Sequence, residues 1–345
     1  MKRLLVIVTL LLTLTLVITA CNGSKNTNDG TANNSSTSAS SSENNQSTSQ
    51  NTTQNDSSTS ASNQSTSQNS AQNTTPANTT SNFDASKNIS MLAREDGSGT
   101  KTAFMEIIGL KGKADPANVI IQTGTAGILT EVKGNPTAIA YESLGYVTSD
   151  VKMLKVDGVE ATVANIKNGT YKISRPLSII YKEAALDNDV NKAFYNYLQS
   201  SDAIKIISDE GYVPIIDSAP DYTIDGSLKG SIDISGSTSL QPLMTELAAA
   251  FEQLQTNVTV TVSGGGSGTG YKNADEGVSE FGMISEEFDL EKAPSCTDYV
   301  VCKDGISVIV NSNNPLDNIT MDQLKNIYDV DAEQDSITRW DSLIK

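Results

Sequence analysis

The folded part of the chain shows short apolar runs that alternate with stretches of helical periodicity. Residues 257–262 read NVTVTV, and this alternation of polar and apolar positions predicts a half-buried strand. Residues 305–311 read GISVIVN, a nearly continuous apolar run that is typical of a central strand covered on both faces. Between residues 240 and 254, leucines, a methionine and a phenylalanine recur at helical spacing. From about residue 86 onward, the pattern therefore predicts an α/β protein.

Several predicted helices carry recognisable end signals. Residues 237–239, with the sequence STS, precede the helix just described and are available to cap it. Thr320 and Gln323 have the spacing of a capping box, which predicts a short helix from that point. Residues 203–210 have a helical pattern that ends at Gly211.

The first 21 residues have the form of a bacterial lipoprotein signal. Lys2 and Arg3 supply positive charge, and the run from Leu4 to Ala20 contains no charge. The run is slightly short for a membrane-spanning helix, which needs roughly 20 apolar residues. It ends in ITAC, which is similar to a lipobox, so we expect Cys21 to carry lipid that anchors the chain to the extracytoplasmic face of the cell membrane. The alternative is an uncleaved anchor in which this cysteine has no role.

Residues 22–85 consist almost entirely of Ser, Thr, Asn, Gln, Gly and Ala. A segment with so few large apolar residues cannot bury enough area to offset the entropy of ordering its chain. We therefore expect a disordered tether between the lipid and the fold.

Composition and charge exclude several classes of function. The chain has no histidine, which excludes Ser-His-Asp catalysis and zinc sites with histidine ligands. It has 24 Lys and Arg residues against 41 Asp and Glu, and the formal charge of −17 argues against a nucleic-acid partner. A small anion remains compatible with this charge, because backbone N–H groups act locally. We expect no metal site and no cofactor.

Cys296 and Cys302 are the remaining thiols. The segment between them has the pattern of a strand, and six residues of strand span about 20 Å. That distance is far beyond disulfide reach, so we expect two unpaired thiols.

Three clusters of glycine and hydroxyl residues stand at predicted helix starts. They are residues 94–100 (REDGSGT), 236–239 (GSTS) and 264–270 (GGGSGTG). Such segments place free N–H and hydroxyl groups at the positive end of a helix dipole, an arrangement that binds oxyanions. Arg94 adds a forked pair of charged donors, and we expect Asp96 to hold this guanidinium in place.

A single glycine-rich turn between a strand and a helix is usually only a turn. The occurrence of three clusters, one with an arginine, favours a binding site. A nucleotide P-loop is the rival interpretation and needs Gly-Lys-Ser/Thr at its end. Here Tyr271 separates Gly270 from Lys272, and Lys101 follows a threonine, so neither cluster matches.

The chain resembles the phosphate-binding lipoproteins of bacterial phosphate ABC importers. The matching segments cover nearly all of residues 86–345 and read GSTSLQPL, VTVSGGGSGTG, FGMISEE, KDGISVIVNSNNP, REDGSGTKTAF, NPTAIAYESLGYV and the turn SRPL with its following strand. The resemblance implies a two-lobed type II periplasmic-binding-protein fold, in which mixed sheets are flanked by helices and two crossover strands join the lobes.

The order of these segments departs from the family. Residues 86–215, which contain REDGSGT, precede residues 231–345, which contain GSTS, whereas the family has the reverse order. This order indicates a circularly permuted chain with residues 216–230 as the linker, or one unit cut from a tandem array. Residues near 86 and near 345 should then be neighbours. The resemblance divides the folded part into two lobes: 86–175 plus 312–345, and 176–311.

The resemblance also implies which residues bind phosphate. Hydroxyl, N–H and guanidinium donors come from both lobes: Arg94, Ser98, Gly99, Thr100, Thr238, Ser239 and Ser267. Some members have an aspartate that accepts a proton from phosphate, and this chain has Ser285 in the aligned place. A serine discriminates less strongly against sulfate than a carboxylate does. Glu286 and Asp96 are the two candidates for the missing acceptor.

The expected function is capture of inorganic phosphate between two lobes that close around it, followed by delivery to the permease of an ABC importer. The alternatives are a binding or sensing module for another oxyanion, such as sulfate or molybdate, and one half of a longer duplicated protein. A phosphatase is disfavoured because no histidine and no paired carboxylate motif are present. We therefore expect no enzymatic activity.

Overall fold

The computed structural model describes residues 83–344. The predicted signal with Cys21 and nearly all of the predicted tether lie outside the described residues and stay predictions. Within residues 83–344, no helix has the length and apolar character needed to cross a membrane.

Strands and helices are interspersed along the chain, as the sequence pattern predicts for an α/β protein. The strands are β1 (Ser90–Arg94), β2 (Ile120–Gln122), β3 (Ala138–Ser143), β4 (Val151–Met153), β5 (Lys155–Val156), β6 (Ser174–Tyr181), β7 (Val213–Pro214), β8 (Gly230–Gly236), β9 (Val258–Ser263), β10 (Phe281–Ile284), β11 (Thr297–Asn311) and β12 (Asn318–Ile319). The helices are α1 (Gly99–Ile107), α2 (Gly124–Gly134), α3 (Val163–Lys167), α4 (Asp189–Leu198), α5 (Ser201–Asp209), α6 (Gln241–Leu254), α7 (Ser267–Glu276) and α8 (Met321–Tyr328).

A mixed sheet runs through the whole folded unit. Its strand order is β2-β1-β3-β11-β6-β10-β8-β9, with β4 and β7 also paired to β11, while β12 and β5 form a separate pair. Parallel pairs lie at both ends, and antiparallel pairs of β11 with β3 and β6 lie in the middle. The prediction of a turn at SRPL is wrong, because Ser174 already begins β6 and pairs with Gly305 of β11.

Two large apolar cores lie on either side of the β6–β11 pair, which fits the two-lobed fold. One core contains Phe104 and Tyr328, and the other contains Phe194 and Phe251. The long strand β11 takes part in both, since Cys302 belongs to the second core and Ile306 to the first. Strand β11 therefore passes from the second core to the first between residues 302 and 306. The sequence analysis placed the lobe boundary after residue 311, at the end of this strand.

The two ends of the described chain meet. Asn88 forms an antiparallel bridge with Arg339, and the N–H of Ile89 donates to the carbonyl of Thr338 at 2.8 Å. The ring of Trp340 is fully buried between these segments and donates its indole N–H to the carbonyl of Thr137 at 3.1 Å. The permuted order of the segments predicts that residues near 86 and near 345 are neighbours, and this contact agrees with that prediction.

The local predictions for the start of α8, the end of α5 and the thiols hold. Thr320 and Gln323 form both bonds of a capping box at the start of α8. The chain leaves α5 through Gly211, whose φ of +81° is the left-handed conformation that favours glycine. Cys296 and Cys302 are both free and buried.

Candidate functional site

Each of the three clusters connects the carboxyl end of a strand to the amino end of a helix. The first lies between β1 and α1, the second between β8 and α6, and the third between β9 and α7. Ser98 caps α1 by accepting a hydrogen bond from the N–H of Lys101 at 3.4 Å. The hydroxyl of Ser237 accepts from the N–H groups of Ser239 and Leu240, at 3.2 Å each. These local bonds hold the starts of α1 and of the turn before α6 in defined positions.

The first and third clusters touch at Gly99. A Cβ atom built on this glycine would lie 2.3 Å from Oγ of Ser267 and 2.6 Å from Oγ of Ser285. Nearby, the N–H of Gly268 donates to the carbonyl of Gly97 at 3.0 Å. The starts of α1 and α7 therefore meet backbone to backbone, with two hydroxyls between them. Only a residue without a side chain fits at the contact.

The first and second clusters touch through side chains. Arg94 donates from Nη2 to Oγ1 of Thr238 at 2.9 Å. The hydroxyls of Thr100 and Ser239 lie 2.8 Å apart. All three clusters thus converge on one buried region, where the sequence-predicted residues Arg94, Ser98, Gly99, Thr100, Thr238, Ser239, Ser267 and Ser285 lie together.

Two glutamates, and not Asp96, hold the guanidinium of Arg94. Glu95 accepts from Nε at 3.0 Å and from Nη2 at 3.1 Å, and Glu142 accepts from Nη1 at 3.0 Å. The expectation for Asp96 is wrong: its carboxylate is fully exposed and pairs with Lys101 at 2.8 Å. The physical reason is that Asp96 lies in the surface turn before α1, whereas Glu142 comes from the buried strand β3.

The two glutamates that bind Arg94 have opposite net pKa shifts. Complete burial raises the pKa of Glu142, although Arg94 and the N–H of Ser143 lower it. Burial also raises the pKa of Glu95, but the hydrogen bonds and charge of Arg94 outweigh it, so the net shift is downward. Burial lowers the pKa of Arg94 and both glutamates raise it, with a net upward shift that keeps the guanidinium charged.

Ser285 and Glu286 differ in their relation to the site. The N–H of Ser285 donates to Oγ of Ser267 at 3.0 Å, and the two hydroxyl oxygens lie 3.3 Å apart. Glu286 is buried and accepts from Lys292 at 2.7 Å through one carboxylate oxygen. Within the described part of the chain, its other carboxylate oxygen has no hydrogen-bond partner.

A cavity of about 700 Å³ opens beside the converged clusters. Ser98 and Lys101 line it on the α1 side, and Glu286 and Lys292 line it on the opposite side. These groups come from both lobes, but of the residues predicted to bind phosphate only Ser98 lines the cavity.

Sequence reasoning missed Glu95, Glu142 and Tyr146. The Tyr146 hydroxyl donates to the carbonyl of Thr238 at 2.9 Å, and burial raises its pKa to about 12, which keeps it a donor. A usable signal exists only for Glu142, which is a carboxylate inside the wholly buried strand AIAYES. An ionised group in such a strand needs a charged partner.

The converged site can bind an oxyanion without further chemistry. It combines helix N-termini, several hydroxyls and one guanidinium in a buried space, which are the groups that replace the hydration of a phosphate-like ion. Among residues 83–344, no group of three or more His, Cys, Asp and Glu side chains could hold a metal ion.

Comparison with known proteins gives matches over most of the chain. The model of the PBP superfamily domain matches residues 52–202 and 223–344. The phosphate-binding protein PstS 2 of Streptococcus agalactiae serotype V is 35% identical over 274 residues, covering 77% of this chain and 91% of the relative. PstS 2 of Streptococcus pneumoniae serotype 4 is 31% identical over 273 residues, with the same coverage.

A solved structure agrees with these matches. The crystal structure of a phosphate-binding protein of a phosphate ABC transporter from Streptococcus pneumoniae TIGR4 superposes with a TM-score of 0.61 at 31% identity, covering 74% of this chain and all of that one. Together with the converged helix N-termini, these similarities show that the chain belongs to the periplasmic-binding-protein superfamily and, within it, to the family of phosphate-binding proteins of ABC transporters.

Proposed function

We propose that the protein binds inorganic phosphate between its two lobes and delivers it to the permease of an ABC importer. It is a binding protein and not an enzyme. The observation that carries the proposal is the contact of Arg94 with Thr238, two residues 144 positions apart in sequence. This contact joins the arginine of one cluster to the hydroxyl of another inside a buried region, and relatives of the chain are named for phosphate binding.

The ligand contacts belong to the same proposal. The N–H groups at the start of α1 and the hydroxyls of Thr238, Ser239 and Ser267 are the neutral donors, and Arg94 is the charged donor. Because the resemblance implies that Ser285 stands where some members have an aspartate, we expect weaker rejection of sulfate than a carboxylate would give.

Isothermal titration calorimetry tests the proposal. Phosphate is titrated into the purified protein alone and in the presence of sulfate or molybdate. Saturable one-to-one binding of phosphate that the other anions displace only weakly supports the proposed ligand. Preferential binding of sulfate or molybdate would favour the alternative, a module for another oxyanion.

We further infer that the two halves of the chain are circularly permuted relative to those family members that have the reverse order, and that the PstS 2 relatives, matched over 91% of their length, share the order of this chain. The bridge between Asn88 and Arg339 supports this inference, because it joins the segments that permutation makes into new termini. The stretch of residues 217–229 contains no helix or strand and is mostly exposed, as suits a linker.

Lipid attachment at Cys21 is also part of the proposal, and its support is the ITAC sequence. Radioactive palmitate should label the wild-type protein in cells but not the Cys21→Ser variant. Equal labelling of both would contradict the lipid anchor.

A further inference from the structure

Arg175 forms a second buried ion pair, beneath the converged clusters. It lies in β6 directly opposite Asp304 of β11, and its Nη2 and Nε donate to Oδ2 of Asp304 at 3.0 and 3.3 Å. The side chains of both residues are 1% exposed. The pair stands where the two strands pass from one apolar core to the other.

The remaining arm of this guanidinium reaches toward the site. Nη1 of Arg175 donates to the carbonyl oxygen of Ser285 at 3.0 Å. The backbone hydrogen bonds between β6 and β11 already hold these strands together. The bond from Arg175 to Ser285 adds nothing to that pairing and therefore points to a different role. A planar guanidinium can serve a carboxylate and a carbonyl at once, which the point charge of a lysine cannot do in the same geometry.

Ser285 is held from both sides of its backbone. Its carbonyl accepts from Arg175, and its N–H donates to Oγ of Ser267 at 3.0 Å. The hydroxyls of both serines then lie against Gly99 at the start of α1. A continuous set of bonds therefore connects Asp304, through Arg175 and Ser285, to the hydroxyl of Ser267.

We propose that Arg175 is a positioning residue for phosphate binding, which fixes the backbone of Ser285 and thereby the orientation of the Ser267 hydroxyl. The proposal rests on the proposed function and assigns a role to the SRPL segment. Donors that bind a desolvated anion must be prearranged, since each one replaces a bond to water. Arg175 provides this prearrangement without touching the ligand.

A double-mutant cycle tests the proposal by calorimetric titration with phosphate. Arg175→Lys keeps the charge beside Asp304 but loses the second arm, and we expect it to weaken phosphate binding about tenfold, the effect of one charge-assisted hydrogen bond. In a Ser267→Ala background the same substitution should have little further effect, because the connection to the ligand is already broken. Arg339→Lys, at an exposed arginine paired with Asp341, is the matched control and should leave the affinity unchanged.

Melting temperatures measured without phosphate separate positioning from a structural role. A purely structural pair would give Arg175→Lys a lower melting temperature with wild-type phosphate affinity, or an equal loss of affinity in both backgrounds, and either result would overturn the proposal. If Arg175→Lys does not fold, the combined Arg175→Gln and Asp304→Asn substitution replaces it in the same cycle with the same expectations, because it removes the guanidinium without leaving an unpaired buried carboxylate. Absence of phosphate binding by the wild-type protein would instead overturn the proposed function, and this assignment with it.

Discussion

At the scale of single residues, Arg94 supplies the charged donor of the anion site in a chain whose formal charge is −17. Its guanidinium contacts Glu95, Glu142 and Thr238, so two carboxylates fix its orientation while a hydroxyl from the other lobe meets it. The arginine itself could be recognised from the sequence, because it stands beside a glycine-rich helix start. Glu142 could not be assigned to it, because 48 residues separate the two and only the pairing of β3 with its neighbours brings them together.

The hydroxyl of Thr238 should matter for affinity. Thr238→Val removes an acceptor of Arg94 and a predicted donor to phosphate while keeping the shape of the side chain. We expect phosphate to bind about tenfold more weakly, as for the loss of one hydrogen bond to a charged group. Calorimetric titration measures this change.

Thr245→Val is the matched control for that substitution. Thr245 lies on the exposed face of α6, and its hydroxyl bonds only the backbone of its own helix, at Gln241. Its replacement should leave phosphate affinity at the wild-type value. Equal affinity of Thr238→Val and Thr245→Val would remove Thr238 from the site.

The two glutamates on Arg94 should affect stability with opposite dependence on pH. The pKa of Glu95 is lowered, so its stabilising contribution is present above the unfolded value of 4.5 and is lost as the pH falls through the folded value. The pKa of Glu142 is raised, so its contribution is largest below 4.5 and is lost as the pH rises through the folded value.

Urea unfolding of wild type, Glu95→Gln and Glu142→Gln from about pH 3 to about pH 8 tests these signs. The buried Trp340, the one tryptophan of the chain, reports unfolding by fluorescence. The stability difference between wild type and Glu95→Gln should shrink toward acid, and the difference for Glu142→Gln should shrink in the opposite direction. Parallel curves for the two variants would contradict the assigned environments.

At the scale of elements, the site is made of helix starts that face one another. The sequence predicted the capping box of α8 and the strand before α7, because these depend on residues close together in the chain. The expected cap of α6 by residues 237–239 is wrong: Leu240 is the N-cap without a side-chain bond, and the Ser237 hydroxyl binds the turn before the helix. The sequence did not predict that the start of α1 packs on the start of α7, since this contact depends on how the two lobes close. The misplacement of Asp96 has the same origin: its partner, Lys101, depends on the direction in which α1 leaves the turn.

The contact between α1 and α7 should not tolerate a methyl group. Gly99→Ala would place a Cβ atom within 2.6 Å of two hydroxyl oxygens of the other lobe. The lobes would then have to separate, and we expect phosphate affinity to fall at least about tenfold, the usual scale of overpacking. Calorimetry gives the affinity, and small-angle scattering with phosphate reports the separation.

Gly134→Ala controls for the loss of a glycine in a helix. Gly134 is the last residue of α2, and nothing lies within 4 Å of the position of an added Cβ atom. This variant should bind phosphate as the wild type does. Wild-type affinity in Gly99→Ala as well would mean that the observed approach of α1 to α7 is not the binding geometry.

At the scale of the molecule, two halves of the chain build one cleft through a single mixed sheet. The alternation of apolar runs was enough to predict an α/β fold, and the resemblance of segments was enough to expect two lobes. The resemblance also implied that crossover strands join the lobes, but neither pattern identified β11, with its 15 residues, as a strand that contributes to both cores. That property depends on the pairing of β11 with four other strands, which no local pattern encodes.

A break in the proposed linker should leave the cleft intact. A protease site inserted between Asp217 and Ser218, which are both exposed, would cut the chain between its two halves. Because β6 and β11 hold the halves together over eight paired positions, the fragments should elute as one species and bind phosphate with unchanged affinity. The same protease site inserted in α6 is the control and should abolish binding.

A crystal structure of the protein grown with phosphate tests the central claim most directly. The account predicts one phosphate ion in contact with Arg94, Thr238 and Ser267, with the N–H groups at the start of α1 directed at its oxygens. A phosphate bound elsewhere, with these three side chains contacting only protein or water, would contradict it.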